Sequence, residues 1–117
     1  VKDFSETIEE VDGIRIIRIF GAFTMATTPY FQKICHETIH KAVKGVLLDF
    51  AKVTAIDTAA FACMVGFIKE HLKNNPSHIA IVNINEKETA MMQILKIGSL
   101  IHVFSKEDEA MRFLQSQ

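Results

Sequence analysis

The run Val46-Leu47-Leu48, closed by Asp49-Phe50, constrains this chain most, because an apolar stretch without alternation reads as a strand covered on both faces. Downstream, Phe61, Met64, Val65, Ile68 and Leu72 recur at helical spacing until Asn74-Asn75-Pro76 stops the pattern. Asp57 and Thr58 lie between, so a buried strand feeds a helix through one Asp-Thr junction. Backbone N–H groups at a helix start lack intrahelical partners and carry partial positive charge, so an anion on the Thr58 hydroxyl would be stabilised there. The same pair also reads as a plain helix N-cap.

Other segments supply the rest of the fold. Thr7–Glu10 and Gly13–Phe20 flank Asp12-Gly13, a hairpin dipeptide, and read as an antiparallel pair. Thr28 caps a helix with Pro29 in its first turn, and Phe31, Ile34, Cys35, Thr38 and Ala42 share one face up to Gly45. His78–Asn83 is a further strand. Asn85 with Glu88 forms a capping box for a helix that closes at Gly98 and turns Met91, Ile94 and Leu95 inward. Ile101–Phe104 is a short last strand, and Ser105 with Asp108 repeats the box before Ala110, Met111, Phe113 and Leu114. Strands separated by helices require right-handed crossovers, so the sheet is mostly parallel with the first strand antiparallel at an edge. The expectation is a single α/β domain spanning residues 1–117, with about four helices. Sites in such sheets gather beyond the carboxyl ends of the strands, where Asp57 and Thr58 fall.

Composition narrows the function classes. Thirteen Lys and Arg against 14 Asp and Glu leave a net charge of −1, with no electrostatic footprint for nucleic acid or anionic membrane. The 49% hydrophobic content is dispersed, and no stretch approaches the ~20 apolar residues of a membrane span. No signal peptide is evident, and Cys35 and Cys63 have no C-x-x-C partner, so reduced thiols in the cytoplasm are expected. Beginning at Val1 rather than Met, the chain fits a trimmed protein or a piece of a longer one.

The residues around the junction resemble the STAS domains, whose best-studied members are bacterial anti-sigma factor antagonists. Leu47-Leu48-Asp49-Phe50-Ala51 and Asp57-Thr58-Ala59-Ala60-Phe61 occupy the places of the family's strand-loop-helix motif. Phe20-Gly21-Ala22-Phe23 resembles its Gly-x-Leu turn, and Ile97-Gly98-Ser99-Leu100 with Glu109-Ala110 resembles its tail. The resemblance implies a STAS-like sandwich and a non-enzymatic regulatory module without cofactor or metal. It implies docking to a kinase-type anti-sigma factor or related switch protein, with Thr58 as phosphoacceptor and Asp57 presenting it. Ala59 stands where the family has a second hydroxyl residue, Ala60 where it has Gly and Phe61 where it has Leu. Partner contact is assigned to Asp57, Thr58, Ala59, Ala60, Phe61, Cys63 and Phe67. Cys63 and Phe67 lie off the inner face of their helix, which makes them either an exposed docking patch or the seat of a neighbouring helix. STAS modules also occur in multidomain sensors and transporters, where the partner is a neighbouring domain or small ligand.

A third reading comes from His36-Glu37-Thr38-Ile39-His40, which spells the H-E-x-x-H of zinc hydrolases. The close-spaced pattern would want Gly at position 43 and a third-ligand His at position 46, where this chain has Val43 and Val46, leaving a distant Glu such as Glu70. On a helical wheel both histidines oppose Phe31, Cys35, Thr38 and Ala42 and face solvent. His71, His78 and His102 have no ligand spacing.

Overall fold

The computed structural model describes residues 4–39, 41, 43–74, 78–94 and 101–117. In chain order the elements are β1 (Phe4–Val11), β2 (Ile14–Phe23), α1 (Thr28–Ile39), β3 (Gly45–Ile56), α2 (Thr58–Asn74), β4 (His78–Val82), α3 (Glu86–Ile94), β5 (His102–Phe104) and α4 (Glu107–Gln115). The strands form one sheet in the order β1-β2-β3-β4-β5. β1 is antiparallel to β2, and the other pairings are parallel. This is the predicted mostly parallel sandwich with an antiparallel edge. The hairpin turns at Asp12 and Gly13, whose φ values of 53° and 81° give the two left-handed positions of a type I′ turn.

Both faces of the sheet are covered, and the alternation along β3 shows how. Val46, Leu48 and Phe50 pack with Phe31, Ile34, Phe61, Met64 and Ile68 in the core under α1 and α2, to which α3 adds Met92. Leu47 points the other way, joining Ile14, Ile16, Ala80 and Val82 against Ala110 and Leu114 of α4. A run that supplies apolar groups to two cores has no room for alternation.

The structure differs from the expectations at several places. β3 extends to Ile56, well past Phe50, because β2 continues to pair with it after β4 has left. Helix α1 ends at Ile39, and Gly45 opens β3 instead, where an added Cβ would stand 3.0 Å from Leu114 and 3.2 Å from the His78 carbonyl. Thr28 lies inside α1 and donates its hydroxyl to the Met25 carbonyl at 2.9 Å, so it is not the cap. The Asn85 box forms as expected: Glu88 N–H donates to Asn85 Oδ1 at 2.8 Å, and Asn85 N–H to Glu88 Oε1 at 3.3 Å. The Ser105 box does not form, since α4 begins after an extended Lys106 with no side-chain cap; Glu107, Asp108 and Glu109 complement the helix dipole there. Met91 packs half-buried against the main core as expected, and Met92 beside it is the more deeply buried of the two. The expected helix stops at Asn75-Pro76 and Gly98, and the stretch Ile97–Leu100, lie outside the described residues.

Candidate functional site

The Asp57–Thr58 junction is built around one carboxylate. Asp57 follows the last residue of β3, and its N–H donates to the Phe23 carbonyl at 3.2 Å, which fixes it beside the end of β2. Its Oδ1 accepts the Ala60 N–H at 2.8 Å, capping α2. Its Oδ2 accepts the Met25 N–H at 2.9 Å, so the same side chain ties the β2–α1 loop to the start of α2. Hydrogen bonds from the Ala60 and then the Met25 N–H hold the Asp57 carboxyl below the usual carboxylate range, outweighing desolvation. The tie is therefore present at neutral pH and is lost only as pH falls through that lowered value, beneath about 4. Asp57→Ala is expected to speed hydrogen exchange at both the Met25 and Ala60 amides by about fivefold, the scale of a lost cap. Exchange unchanged at either amide would refute the bridging role.

Thr58 is the first residue of α2 and is exposed. Ala59 is half-buried, whereas Ala60 and Phe61 are wholly inside the core. Their side chains therefore support the corner from beneath and do not present themselves to a partner. Phe67 is 5% exposed, with its ring 5.9 Å from Phe31 and 5.7 Å from His71. Of the two readings for this part of α2, the covered one holds for Phe67, because α1 packs over it. Cys63 is half-buried and lines, with Cys35, His36, Gly66, Phe67 and Glu70 among others, an open groove of about 420 Å³ between the two helices. Burial pushes both thiols up, Cys35 with a further contribution from Cys63, so they remain protonated at neutral pH.

Met25 was missed by sequence reasoning. It is 67% exposed in the β2–α1 loop, which is shaped by the Thr27 hydroxyl: that oxygen accepts the Thr24 N–H at 2.9 Å and donates to the Ala22 carbonyl at 2.7 Å. Thr24-Met25-Ala26-Thr27-Thr28 was the available signal, a Thr-rich loop following a strand that runs parallel to β3.

A second polar cluster occupies the α4 side of the sheet. Arg18 Nη1 lies 2.8 Å from Asp49 Oδ2 and 2.5 Å from Glu107 Oε1, and its Nη2 lies 3.0 Å from Glu107 Oε2. Glu9 accepts from Arg18 Nε at 3.2 Å, and Asp49 Oδ1 accepts from Asn83 Nδ2 at 2.8 Å and Ala51 N–H at 3.0 Å. Burial pushes the Asp49 carboxyl up, but Asn83, Ala51 and Arg18 together hold it below its ordinary value. Arg18 likewise holds Glu107 down, and the three carboxylates raise the guanidinium further above its ordinary value.

The H-E-x-x-H stretch is only partly assembled on the described chain. His36 and Glu37 are exposed, Thr38 is buried with its hydroxyl donating to the Ile34 carbonyl, and His40 lies outside the described residues. Among the described residues no three His, Cys, Asp or Glu side chains converge on a metal position. No described helix is long and apolar enough to cross a membrane.

The sequence model of the STAS domain family matches residues 6–110. This chain belongs to the STAS domain family. Among solved structures, an anti-sigma factor antagonist from Mycobacterium paratuberculosis superposes with a TM-score of 0.82 at 12% identity, covering 96% of this chain and 94% of that one. The phosphorylated form of the Bacillus cell fate determinant SpoIIAA gives 0.69 at 15% identity, covering 93% and 99%. The murine Solute Carrier 26 family member A9 anion transporter gives 0.76 at 19% identity, covering 93% of this chain but 19% of the transporter. At such identities the similarity establishes a shared fold. No curated protein sequence matches the chain.

Proposed function

We propose that this STAS domain is a non-catalytic bacterial regulatory module, acting in the cytoplasm, that docks a serine/threonine-kinase-type anti-sigma factor or switch protein through the Asp57–Thr58 corner. Thr58 is its phosphoacceptor. The observation that carries this reading is that Thr58 is exposed at the first position of α2, on a backbone held by the two hydrogen bonds of Asp57. A phosphoryl group there lies at the positive end of the helix, so the domain tolerates it. Its charge of about −1.5 to −2 acts instead on whatever is docked against the corner. Ala60 does not crowd the acceptor, since its methyl is buried in the core.

The test is incubation with each serine/threonine kinase encoded beside the gene, with ATP, followed by intact-mass measurement. The wild type is expected to gain one phosphoryl group and Thr58→Ala none. Thr58→Glu is expected to weaken binding to that kinase by at least about tenfold, as a fixed charge on a docking surface should. A wild type that neither gains phosphate nor binds any of these kinases would sink the proposal. The transporter similarity supports a second reading, in which the domain serves a larger protein by binding a neighbouring domain or small ligand. The flanking gene sequence distinguishes the two.

A further inference from the structure

The fold brings together two histidines that stand far apart in the chain. His78 opens β4 and His102 opens β5, neighbouring parallel strands whose register sets Ala80 opposite His102. Side chains two residues apart on a strand share a face, so both imidazoles lie with Ala80 and Phe104 on the α4 side of the sheet. Their ring centroids are 6.1 Å apart, and Phe113 of α4 packs on both, 5.8 Å from His78 and 4.3 Å from His102. The residues after α4 add a third donor. Gln117 Nε2 donates to the Phe113 carbonyl at 3.1 Å, which turns Gln117 Oε1 towards His78, 3.2 Å from its Nε2. An amide oxygen only accepts, so His78 Nε2 carries the ring proton in that contact.

We propose that His78, His102 and Gln117 form a binding site for a zinc ion. The ion takes the place of the proton between His78 Nε2 and Gln117 Oε1, and the ring keeps its one proton at Nδ1. The 3.2 Å between those two atoms suits neighbouring ligands each held about 2.0–2.2 Å from one ion. With bonds of that length, two imidazoles on one ion have centroids about 5–6.5 Å apart, a range that includes the 6.1 Å found. Phe113 backs both rings and restricts them before an ion arrives. The donors are two imidazole nitrogens and one amide oxygen, a set that suits zinc and its neighbours nickel and copper(II) better than calcium or magnesium. Water completes the coordination, since His102 and Gln117 are exposed. The ion ties β4, β5 and the end of α4 at one point, and β5, paired over three residues only, gains most from it. His36 and its H-E-x-x-H stretch lie on α1, against the other face of the sheet.

This proposal does not depend on Thr58 or its modification. The test titrates the untagged full chain, isotopically labelled, with zinc alone. The imidazole resonances of His78 and His102 and the side-chain amide of Gln117 are expected to shift together, while those of His36 stay in place. Calorimetry is expected to give one ion per chain. His78→Ala and His102→Ala are each expected to weaken binding by about tenfold or more, at least the scale of losing a group that merely supports a ligand. Gln117→Glu, which puts a carboxylate in place of the amide, is expected to tighten it, and His36→Ala to leave it unchanged. Saturating zinc is expected to raise the melting temperature of the wild type and not that of the double variant His78→Ala with His102→Ala. The proposal is overturned by no binding at millimolar zinc, by shifts centred on His36, by binding that survives both single alanine variants at 78 and 102, or by an equal rise in melting temperature in the double variant.

Discussion

Phe23→Ala is expected to lower stability by about 4 kcal/mol, the scale of a phenylalanine removed from a packed core. Phe23 is fully buried at the end of β2, with its ring 4.8 Å from Phe31, 5.8 Å from Phe50 and 6.4 Å from Phe4. Those three rings come from α1, β3 and β1, so the cavity would open where four elements meet and no one of them can collapse into it. The melting temperature should fall by about 20 °C for a domain of this size. The effect reaches the candidate site, because the Phe23 carbonyl accepts the Asp57 N–H. Urea denaturation gives the free energy, and hydrogen exchange at Asp57 reports the loosened corner. A loss below about 1 kcal/mol would show that Phe23 is not the packing centre described.

Arg18→Met comes second, with about 2 kcal/mol lost at neutral pH. The variant keeps the apolar stem but leaves Asp49 and Glu107 side by side without a cation. Most of the effect falls on Asp49, whose side chain is 9% exposed; Glu107, at 37%, is screened by solvent and contributes little. The pH dependence has a definite sign. Both carboxyls are held below their ordinary values in the folded wild type. Their contribution is therefore present above about pH 4 and is lost as pH falls through the lowered values. Without Arg18 that lowering weakens, so the gap between variant and wild type should be widest at neutral pH and should close towards pH 3. Chemical denaturation at pH 7 and pH 3 decides it. A gap that stays constant would mean that Arg18 acts through packing and not charge.

Local signals in the sequence carried most of the fold. The Val46–Phe50 run announced two cores because each of its apolar residues faces one of them. Asp12-Gly13 announced the hairpin because few other residues tolerate two left-handed positions. Legibility failed where a distant neighbour decides. Nothing in Ala51-Lys52-Val53-Thr54-Ala55-Ile56 shows that β2 will keep pairing with it after β4 has gone. Arg18 meets Asp49 and Glu107 across 31 and 89 residues, separations that no spacing rule reaches. At the candidate site, Asp57 and Thr58 were legible as a helix start. The inward aim of Ala60 and Phe61 and the coverage of Phe67 depend on how α1 and α2 lie together, and Met25 depends on the fold of its loop.

The Asp57 carboxylate also sets the thermodynamic character of any encounter at the corner. With one oxygen on each of two segments, it assembles the exposed Met25 and the exposed Thr58 into one surface before a partner arrives. Ordering that surface adds little entropic penalty to association, so a small contact area can suffice for useful affinity. It also lets the two halves of the surface diverge independently: the side chain at position 25 can change to suit a new partner, since its backbone N–H and carbonyl are the groups held, while the hydroxyl at position 58 stays where it is.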